Sequence, residues 1–118
     1  MNKPPTLSVA ILTLNEAKRI GRCIDSAAWA DQVVVADSGS RDGTQEIARS
    51  RGASVHDYPD WQGFAVQRNR LLSHCNGEYV FFLDADEELT PELSQEVRAV
   101  VACESRDVRE LAWDEVAF

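Results

Sequence analysis

The chain has 118 residues, 44% of them hydrophobic and 27% charged, which is the composition of one globular domain with a core of its own. Its formal net charge of −8, with no basic stripe in the sequence, argues against a nucleic-acid partner. The cysteines are odd in number and far apart (Cys23, Cys75 and Cys103), which favours reduced thiols over disulfides or a cysteine-ligated metal site.

The first apolar run, at 7–14, has the β-rich composition of a buried strand and follows a polar arm with two prolines. The run is too short to span a bilayer, and it lacks the basic flank and cleavage site of a signal peptide. We therefore expect a soluble, cytoplasmic protein.

Strands and helices are predicted to alternate along the rest of the chain. Further buried strands are expected at 32–36, 53–56 and 78–83. Helices are expected at 16–29 with Asn15 as N-cap, at 44–51 closed by Gly52, at 64–75 with Phe64, Leu71, Leu72 and Cys75 on the apolar face, and from Thr90-Pro91 onward. The segment 111–118 has strand composition, and the sequence stops inside it.

This alternation predicts an open, mainly parallel sheet with helices on both faces, a Rossmann-like α/β fold. Ligands of such sheets bind at the carboxyl ends of the strands. Three predicted strand ends carry polar residues: the segment 13–16, the pair Asp37 and Ser38, and the pair Asp84 and Asp86.

The predicted strand at 78–83, apolar enough to be buried on both faces, leads directly into the carboxylates Asp84, Asp86, Glu87 and Glu88. In an extended backbone Asp84 and Asp86 share one face, which suits a hard divalent cation that shares its oxygen ligands with phosphates. An isolated D-x-D is more often a solvated acidic turn leading into a helix. The polar residues at the two other strand ends favour the functional interpretation.

Several other site types do not fit the sequence. An EF-hand loop counted from Asp84 has Leu89 where glycine is required. There is no P-loop, dinucleotide fingerprint or nucleophile elbow, and His56 and His74 lack a zinc spacing. What remains is a metal site formed by carboxylates at the carboxyl edge of a nucleotide-binding type of sheet.

Four segments carry a resemblance to a known family: SVAILTLNE at 8–16, VVVADSGSRDGT at 33–44, QRN at 67–69 and GEYVFFLDADE at 77–87. In this order they resemble the family 2 glycosyltransferases, which have the GT-A fold and use nucleotide-diphospho-sugars. The variants T-L-N-E, D-S-x-S-x-D-G-T and L-D-A-D-E resemble the subgroup of bacterial lipopolysaccharide-core β-glucosyltransferases.

The resemblance implies roles for residues at the first two strand ends. Thr13, Leu14 and Glu16 stand where the family lines the nucleotide base and ribose, although a strand end with a helix cap is the plainer interpretation. Asp37 stands where the family has a carboxylate that hydrogen-bonds the uracil ring, and a turn cap is the alternative. The segment 38–43 is interpreted as a supporting turn.

The resemblance also implies a metal site at the fourth strand. Asp86 would ligate Mn²⁺ or Mg²⁺ bridging the diphosphate, and Asp84 would reach the ribose or the metal shell; the metal would neutralise charge on the UDP leaving group. Arg68 and Asn69 match a pair that meets phosphate or base, with an ordinary exposed helix arginine as the alternative. Glu87 and Glu88 are interpreted as helix-start charges favoured by the macrodipole.

The catalytic base is not assigned. Inverting transferases need a base for the acceptor hydroxyl, and the family carries it well beyond this point of the sequence. Asp114 and Glu115 do not match its position. We therefore expect residues 1–118 to be the N-terminal, nucleotide-sugar-binding half of a truncated GT-A domain.

The expected function is metal-dependent, inverting transfer from a UDP-sugar, such as UDP-glucose, to a saccharide acceptor such as lipopolysaccharide core, with peripheral inner-membrane association. A sheet cut at its fifth strand would leave an open edge, so self-association is also expected. One alternative is a truncated, non-catalytic UDP-sugar- or metal-binding module. Another is a nucleotidyltransferase, which would carry a glycine-rich basic loop where this chain has NEAKRI at 15–20.

Overall fold

A computed structural model describes residues 6–102, in which four strands alternate with four helices. The strands are β1 (Leu7–Thr13), β2 (Gln32–Asp37), β3 (Ser54–Asp57) and β4 (Tyr79–Asp84). The helices are α1 (Ile20–Ser26), α2 (Thr44–Ser50), α3 (Phe64–Ser73) and α4 (Pro91–Ala102). The predicted strand at 111–118 and the carboxylates Asp114 and Glu115 lie outside the described residues.

The four strands form one parallel sheet in the order β3-β2-β1-β4. In the register of the sheet, Leu12 of the central β1 lies between Ala36 and Asp84, and Thr13 lies beside Asp37. The carboxyl ends of β1, β2 and β4 therefore meet at one edge, where the sequence predicted the polar residues to converge.

Helices cover both faces of the sheet, as predicted. The larger core lies under α1, α2 and α4, and its fully buried members include Ile11, Ile24, Phe81 and Val97. The other face is covered by α3, which lies over β1 and β2 and buries Leu71 against them. In the described part of the chain, no helix combines the length and apolar character needed to cross a bilayer.

The prediction that the fourth strand is buried on both faces is wrong for one face. Tyr79, Phe81 and Leu83 are buried under the helices, whereas Val80 and Phe82 on the opposite face are only half-buried. The reason is that α3 packs on β1 and β2 and leaves the outer strand β4 partly uncovered.

A close backbone approach joins the start of β4 to β1. The Gly77 N–H donates to Ser8 Oγ at 2.8 Å, and a Cβ at position 77 would lie 2.6 Å from the Ser8 nitrogen. Only glycine fits here without a shift of the strand, which fixes where β4 begins.

Two helix predictions need correction. The first helix begins at Ile20, and Asn15 is not its N-cap but adopts a left-handed conformation with φ of 53°. On α3, Gln67 and Leu71 face the sheet, whereas Phe64 is 74% exposed because the helix begins at the rim of the sheet. The end of α2 agrees with prediction: Gly52 follows it with φ of 92°.

The acidic pair Glu87 and Glu88 does not start a helix, contrary to prediction. Helix α4 begins at Pro91, and Thr90 is the N-cap, with its Oγ1 accepting the Leu93 N–H at 3.1 Å. Both glutamates therefore lie in the connection before the helix, next to the aspartates at the end of β4.

Candidate functional site

The loops after β1 and β2 are joined by four hydrogen bonds, each between a backbone N–H and a side-chain oxygen. Three consecutive N–H groups donate across the gap: Asn15 to Ser40 Oγ at 2.7 Å, Glu16 to Thr44 Oγ1 at 2.9 Å, and Ala17 to Asp42 Oδ2 at 3.1 Å. In return, the Arg41 N–H donates to Asn15 Oδ1 at 2.9 Å. This interlock explains why α1 starts late, because the Asn15 side chain is bound to the neighbouring loop instead of capping the helix.

Asp37 organises the loop after β2 from within. It is fully buried, and its Oδ2 accepts the N–H groups of Gly39 at 3.0 Å and Ser40 at 2.7 Å and the Gln45 side-chain amide at 2.8 Å. Its Oδ1 accepts the Ser40 hydroxyl at 2.6 Å. The carboxylate thus closes an Asx-type turn, which corresponds to the turn-cap alternative considered for this residue.

An open cleft of about 470 Å³ lies above the ends of β1 and β2. It is lined by Leu12, Thr13, Leu14, Glu16, Ser38, Trp61 and Phe64. Thr13 is only 5% exposed, and its hydroxyl has no hydrogen-bond partner in the described protein. Since buried hydroxyls are normally paired, an unpartnered one in the lining of this cleft is a candidate contact for a ligand. Three of the predicted nucleotide-binding residues (Thr13, Leu14 and Glu16) line this cleft, and Asp37 lies beneath it.

The carboxylates after β4 form a tight cluster. Oxygen atoms of Asp84, Asp86 and Glu87 lie within 4.8 Å of one another, and Glu87 Oε1 is buried without a partner among the described residues. Burial, with the nearby Asp86 charge, raises the pKa of Asp84. Burial, with the charges of Asp84 and Asp86, also raises the pKa of Glu87. The ionised cluster is therefore destabilised by itself and suited to a cation.

The turn at 84–88 that carries the carboxylates, called the acidic turn below, is hydrogen-bonded to α1. The Cys23 thiol donates to the Asp84 carbonyl at 3.3 Å, and the Leu89 N–H donates to Ser26 Oγ at 2.9 Å. Burial and the nearby carboxylates, Asp84 first, raise the pKa of Cys23 to about 12, so this thiol is an inert packing group. The only nearby cation in the described ion pairs is the exposed Arg19, whose Nη1 lies 3.9 Å from Asp86 Oδ2.

A second, smaller cleft of about 220 Å³ joins the two regions, because it is lined by Leu12 and Phe64 on one side and by Asp84 on the other. Arg68 also lines it, with its guanidinium carbon 4.2 Å from the centre of the Phe82 ring. The structure thus brings Arg68 near the acidic turn, whereas Asn69 is exposed and is not among the lining residues of either cleft.

The sequence interpretation missed three contributions. Gln67 is fully buried on α3 and donates to Ser38 Oγ at 3.1 Å, a role that its position four residues before Leu71 on the inner helix face could have indicated. Glu87 joins the carboxylate cluster rather than a helix. Trp61 and Phe64 line the larger cleft, which no sequence pattern indicated.

Comparison with known proteins decides the family. The sequence at 8–107 matches the profile described as Glycosyl transferase family 2. The chain belongs to this family. Among curated relatives, an uncharacterized glycosyltransferase of Rickettsia bellii is 42% identical over 91% of this chain and 36% of the relative. The lipopolysaccharide core biosynthesis glycosyltransferase LpsC of Rhizobium meliloti is 37% identical over 75% of this chain and 34% of the relative.

Solved structures of glycosyltransferases share the fold. Glucosyl-3-phosphoglycerate synthase from Mycobacterium tuberculosis, solved with Mn²⁺, UDP and glucosyl-3-phosphoglycerate, has a TM-score of 0.68 and 27% identity over 83% of this chain and 40% of that one. The mannosyltransferase PcManGT from Pyrobaculum calidifontis, solved with GDP-Man and Mn²⁺, has a TM-score of 0.73 and 28% identity over 89% of this chain and 34% of that one.

These comparisons confirm the predicted family and the predicted GT-A class of fold. This family 2 chain spans little more than a third of the length of the curated relatives named above. Both structures named above contain Mn²⁺, and they differ in nucleotide, UDP in one and GDP-Man in the other.

Proposed function

We propose that residues 1–118 form the nucleotide-sugar-binding part of a family 2 glycosyltransferase that uses a divalent cation. The observation that carries this proposal is the convergence, at one edge of the sheet, of a carboxylate cluster and an open cleft lined by a buried hydroxyl that has no partner among the described residues. The edge is the carboxyl edge of a parallel sheet, where ligands of such folds bind.

The residues after β4 fit a hard divalent cation. The cluster offers only oxygen ligands, its charges repel one another, and Glu87 Oε1 is buried without a partner in the described protein. These properties suit Mn²⁺ or Mg²⁺. Asp86 is proposed as the principal ligand, with Asp84 and Glu87 beside it. When bound, the cation would neutralise the charge that develops on the leaving nucleoside diphosphate.

The nucleotide is proposed to occupy the larger cleft, with its base and ribose against Thr13, Leu14 and Glu16. Arg68, which lines the smaller cleft together with Phe64 and Asp84, is proposed to meet the phosphates. Asp37 is proposed to act chiefly by holding the loop, because it is fully buried and four donors already occupy it. Asn69 is the least supported of the predicted contacts.

UDP-glucose as donor and a lipopolysaccharide-core saccharide as acceptor remain the specific proposals, with inverting transfer at the surface of the inner membrane. The acceptor is supported by the likeness to LpsC, and UDP as the nucleotide by the likeness to the mycobacterial synthase. The likeness to a mannosyltransferase solved with GDP-Man supports the alternative of a GDP-sugar. The general base is left unassigned.

The proposal is tested by titrating UDP into the chain by calorimetry, with and without Mn²⁺, using the wild type, Asp86→Ala and the control Glu96→Ala. Glu96 is an exposed carboxylate on α4, away from the cluster. We expect metal-dependent binding in the wild type and the control and its loss in Asp86→Ala. Equal affinity in all arms would refute the site.

The same preparations distinguish an enzyme from a binding module. Hydrolysis of UDP-glucose, or transfer of its glucose, by the wild type and not by Asp86→Ala would support catalysis by this chain. Metal-dependent UDP binding with neither reaction would favour the non-catalytic module.

Self-association is proposed from the outer edge of β4. Among the described strands, β4 pairs only with β1 and lies at the edge of the sheet. A strand at the edge of a sheet can pair with a strand of a second chain. We expect the apparent mass in size-exclusion chromatography to rise with protein concentration. A sharp monomer peak at high concentration would contradict this expectation.

A further inference from the structure

Two aromatic side chains, Trp61 and Phe64, stand exposed at the rim of the larger cleft. Trp61 is 49% exposed and Phe64 is 74% exposed, and their rings meet edge to face with centroids 4.9 Å apart. Both line the cleft that Thr13 also lines. Paired exposed aromatics at a cleft are typical of a binding surface rather than of a solvated loop.

The segment that carries Trp61 is held in place. Asp60, its neighbour, forms a two-point ion pair with Arg70 of α3, with oxygen–nitrogen distances of 3.1 and 2.9 Å. Arg70 also donates to the Asp60 carbonyl at 3.2 Å, and its guanidinium carbon lies 4.8 Å from the centre of the Tyr58 ring. This fork geometry is among the stronger ion-pair arrangements, so the aromatic wall is formed before any ligand arrives.

Thr13 lines the same cleft as the aromatic pair, and its hydroxyl is buried without a partner among the described residues. A hydroxyl both donates and accepts hydrogen bonds, so it can pair with either a donor or an acceptor on the edge of a nucleobase. Asp37, which the sequence indicated as a contact to the base, is fully buried with four donors already bound to it. The cleft therefore offers the aromatic pair and the Thr13 hydroxyl, beside the polar side chains of Glu16 and Ser38 that also line it.

We infer that Trp61 and Phe64 form the wall against which the nucleobase lies, with Thr13 as the polar contact at the edge of the base. This inference rests on the proposed nucleotide-binding function and adds two residues and a mode of recognition to it. Stacking tolerates any base, because every base has a π-face. UDP and GDP are therefore expected to bind with dissociation constants within about tenfold of each other.

The test compares a ligand that has a base with one that has none. UDP and pyrophosphate are titrated in the presence of Mn²⁺ into the wild type, Trp61→Ala, Phe64→Ala and Trp61→Phe. Val100→Ala, which removes part of an exposed apolar side chain on α4, is the control. Stacking energies predict that the alanine variants weaken UDP roughly 5- to 100-fold. Pyrophosphate affinity should stay within about twofold, and Trp61→Phe should retain most UDP affinity.

The outcomes separate the wall from the proposed function. If UDP and pyrophosphate both bind the wild type but the alanine variants bind UDP as well as the wild type does, the wall is refuted and the function stands. Equal losses for UDP and pyrophosphate would mean that the aromatics act on the fold, which also refutes the wall. Failure of UDP to bind the wild type would overturn the wall together with the proposed function. A preference for UDP over GDP far above tenfold would contradict recognition by stacking.

Discussion

The two halves of the carboxyl edge are built in opposite ways. On the side of β1 and β2, the polar groups are largely bound to one another, as the interlocked loops and the saturated Asp37 show. On the side of β4, three carboxylates crowd together, and the cationic partner among their described ion pairs is the exposed Arg19, 3.9 Å from Asp86. Apart from the Thr13 hydroxyl, the first half is saturated by its own described hydrogen bonds, whereas the second is electrostatically incomplete.

Because of this difference, residues of the same type have different roles in the two halves. Asp37 and Asp86 are both aspartates at strand ends, yet one is fully buried under four donors and the other is exposed beside two carboxylates. A saturated carboxylate fixes the shape of a loop, whereas an unsaturated cluster binds a cation at little cost in reorganisation. The first should matter for folding and the second for binding.

The largest expected effect is a loss of stability when Asp37, on the side of β1 and β2, is replaced. Asp37→Ala removes the acceptor of four hydrogen bonds and leaves buried donors unpaired, so we expect the free energy of unfolding to fall by about 2–4 kcal/mol. The matched change Asp86→Ala, at an exposed position, should alter it by no more than about 0.5 kcal/mol without metal. Urea denaturation measures both. Similar losses in the two variants would contradict the division between the halves.

A smaller effect is expected at the junction of the two loops. Thr44 is fully buried, and its Oγ1 accepts the Glu16 N–H at 2.9 Å and donates to Asp42. Thr44→Val should cost about 1–2 kcal/mol and speed amide hydrogen exchange at Glu16. Ser50→Ala, which changes an exposed hydroxyl on α2, serves as the control. Unchanged exchange at Glu16 would mean that the interlock does not hold the loop.

The smallest expected effect is a pH dependence of the free energy of unfolding that comes from the carboxylate cluster at the end of β4. The pKa values of Asp84 and Glu87 are raised above 3.8 and 4.5, so in the window just above these values the folded chain binds more protons than the unfolded one. Their contribution to the free energy of unfolding therefore falls as the pH rises through that window. Since a cation needs the ionised carboxylates, Mn²⁺ should raise the melting temperature more at neutral pH than within the window.

Melting curves with and without Mn²⁺ across this range check the prediction. In the double variant Asp84→Asn, Glu87→Gln, we expect both the metal effect and this part of the pH dependence to disappear. A metal-induced shift that is equal at all pH values, or that survives in the double variant, would count against the cluster as the metal site.

Much of the framework was predictable because it follows local patterns. The alternation of apolar runs and capping residues predicted the parallel sheet, and the rule for strand ends placed Thr13, Asp37 and Asp84 at one edge. The cap at Thr90 with Pro91 also followed from local chemistry. These features depend on residues that lie close together in the sequence, so the sequence alone indicates them.

What sequence could not predict depends on contacts between distant loops. Asn15 looked like an N-cap, but the loop 40–44 competes for its side chain and for the N–H groups that follow it. Phe64 fitted the helical spacing, yet it lies beyond the edge of the sheet that its helix covers. Glu87 was predicted to start a helix, but its N–H donates to the Asp84 carbonyl at 3.0 Å and closes a turn that brings it to the aspartates. Bonds from Cys23 and to Ser26 of α1 hold this turn in place.

The central claim is that the cation binds at the turn after β4 and not elsewhere on this acidic chain. Paramagnetic broadening of backbone amide signals by Mn²⁺, added with UDP, locates the ion directly. We expect broadening to be strongest at 84–88, weaker at 13–16, and absent from these segments in Asp86→Ala, while Glu96→Ala behaves as the wild type. Broadening centred on another acidic segment, or unchanged in Asp86→Ala, would refute a cation site at this turn.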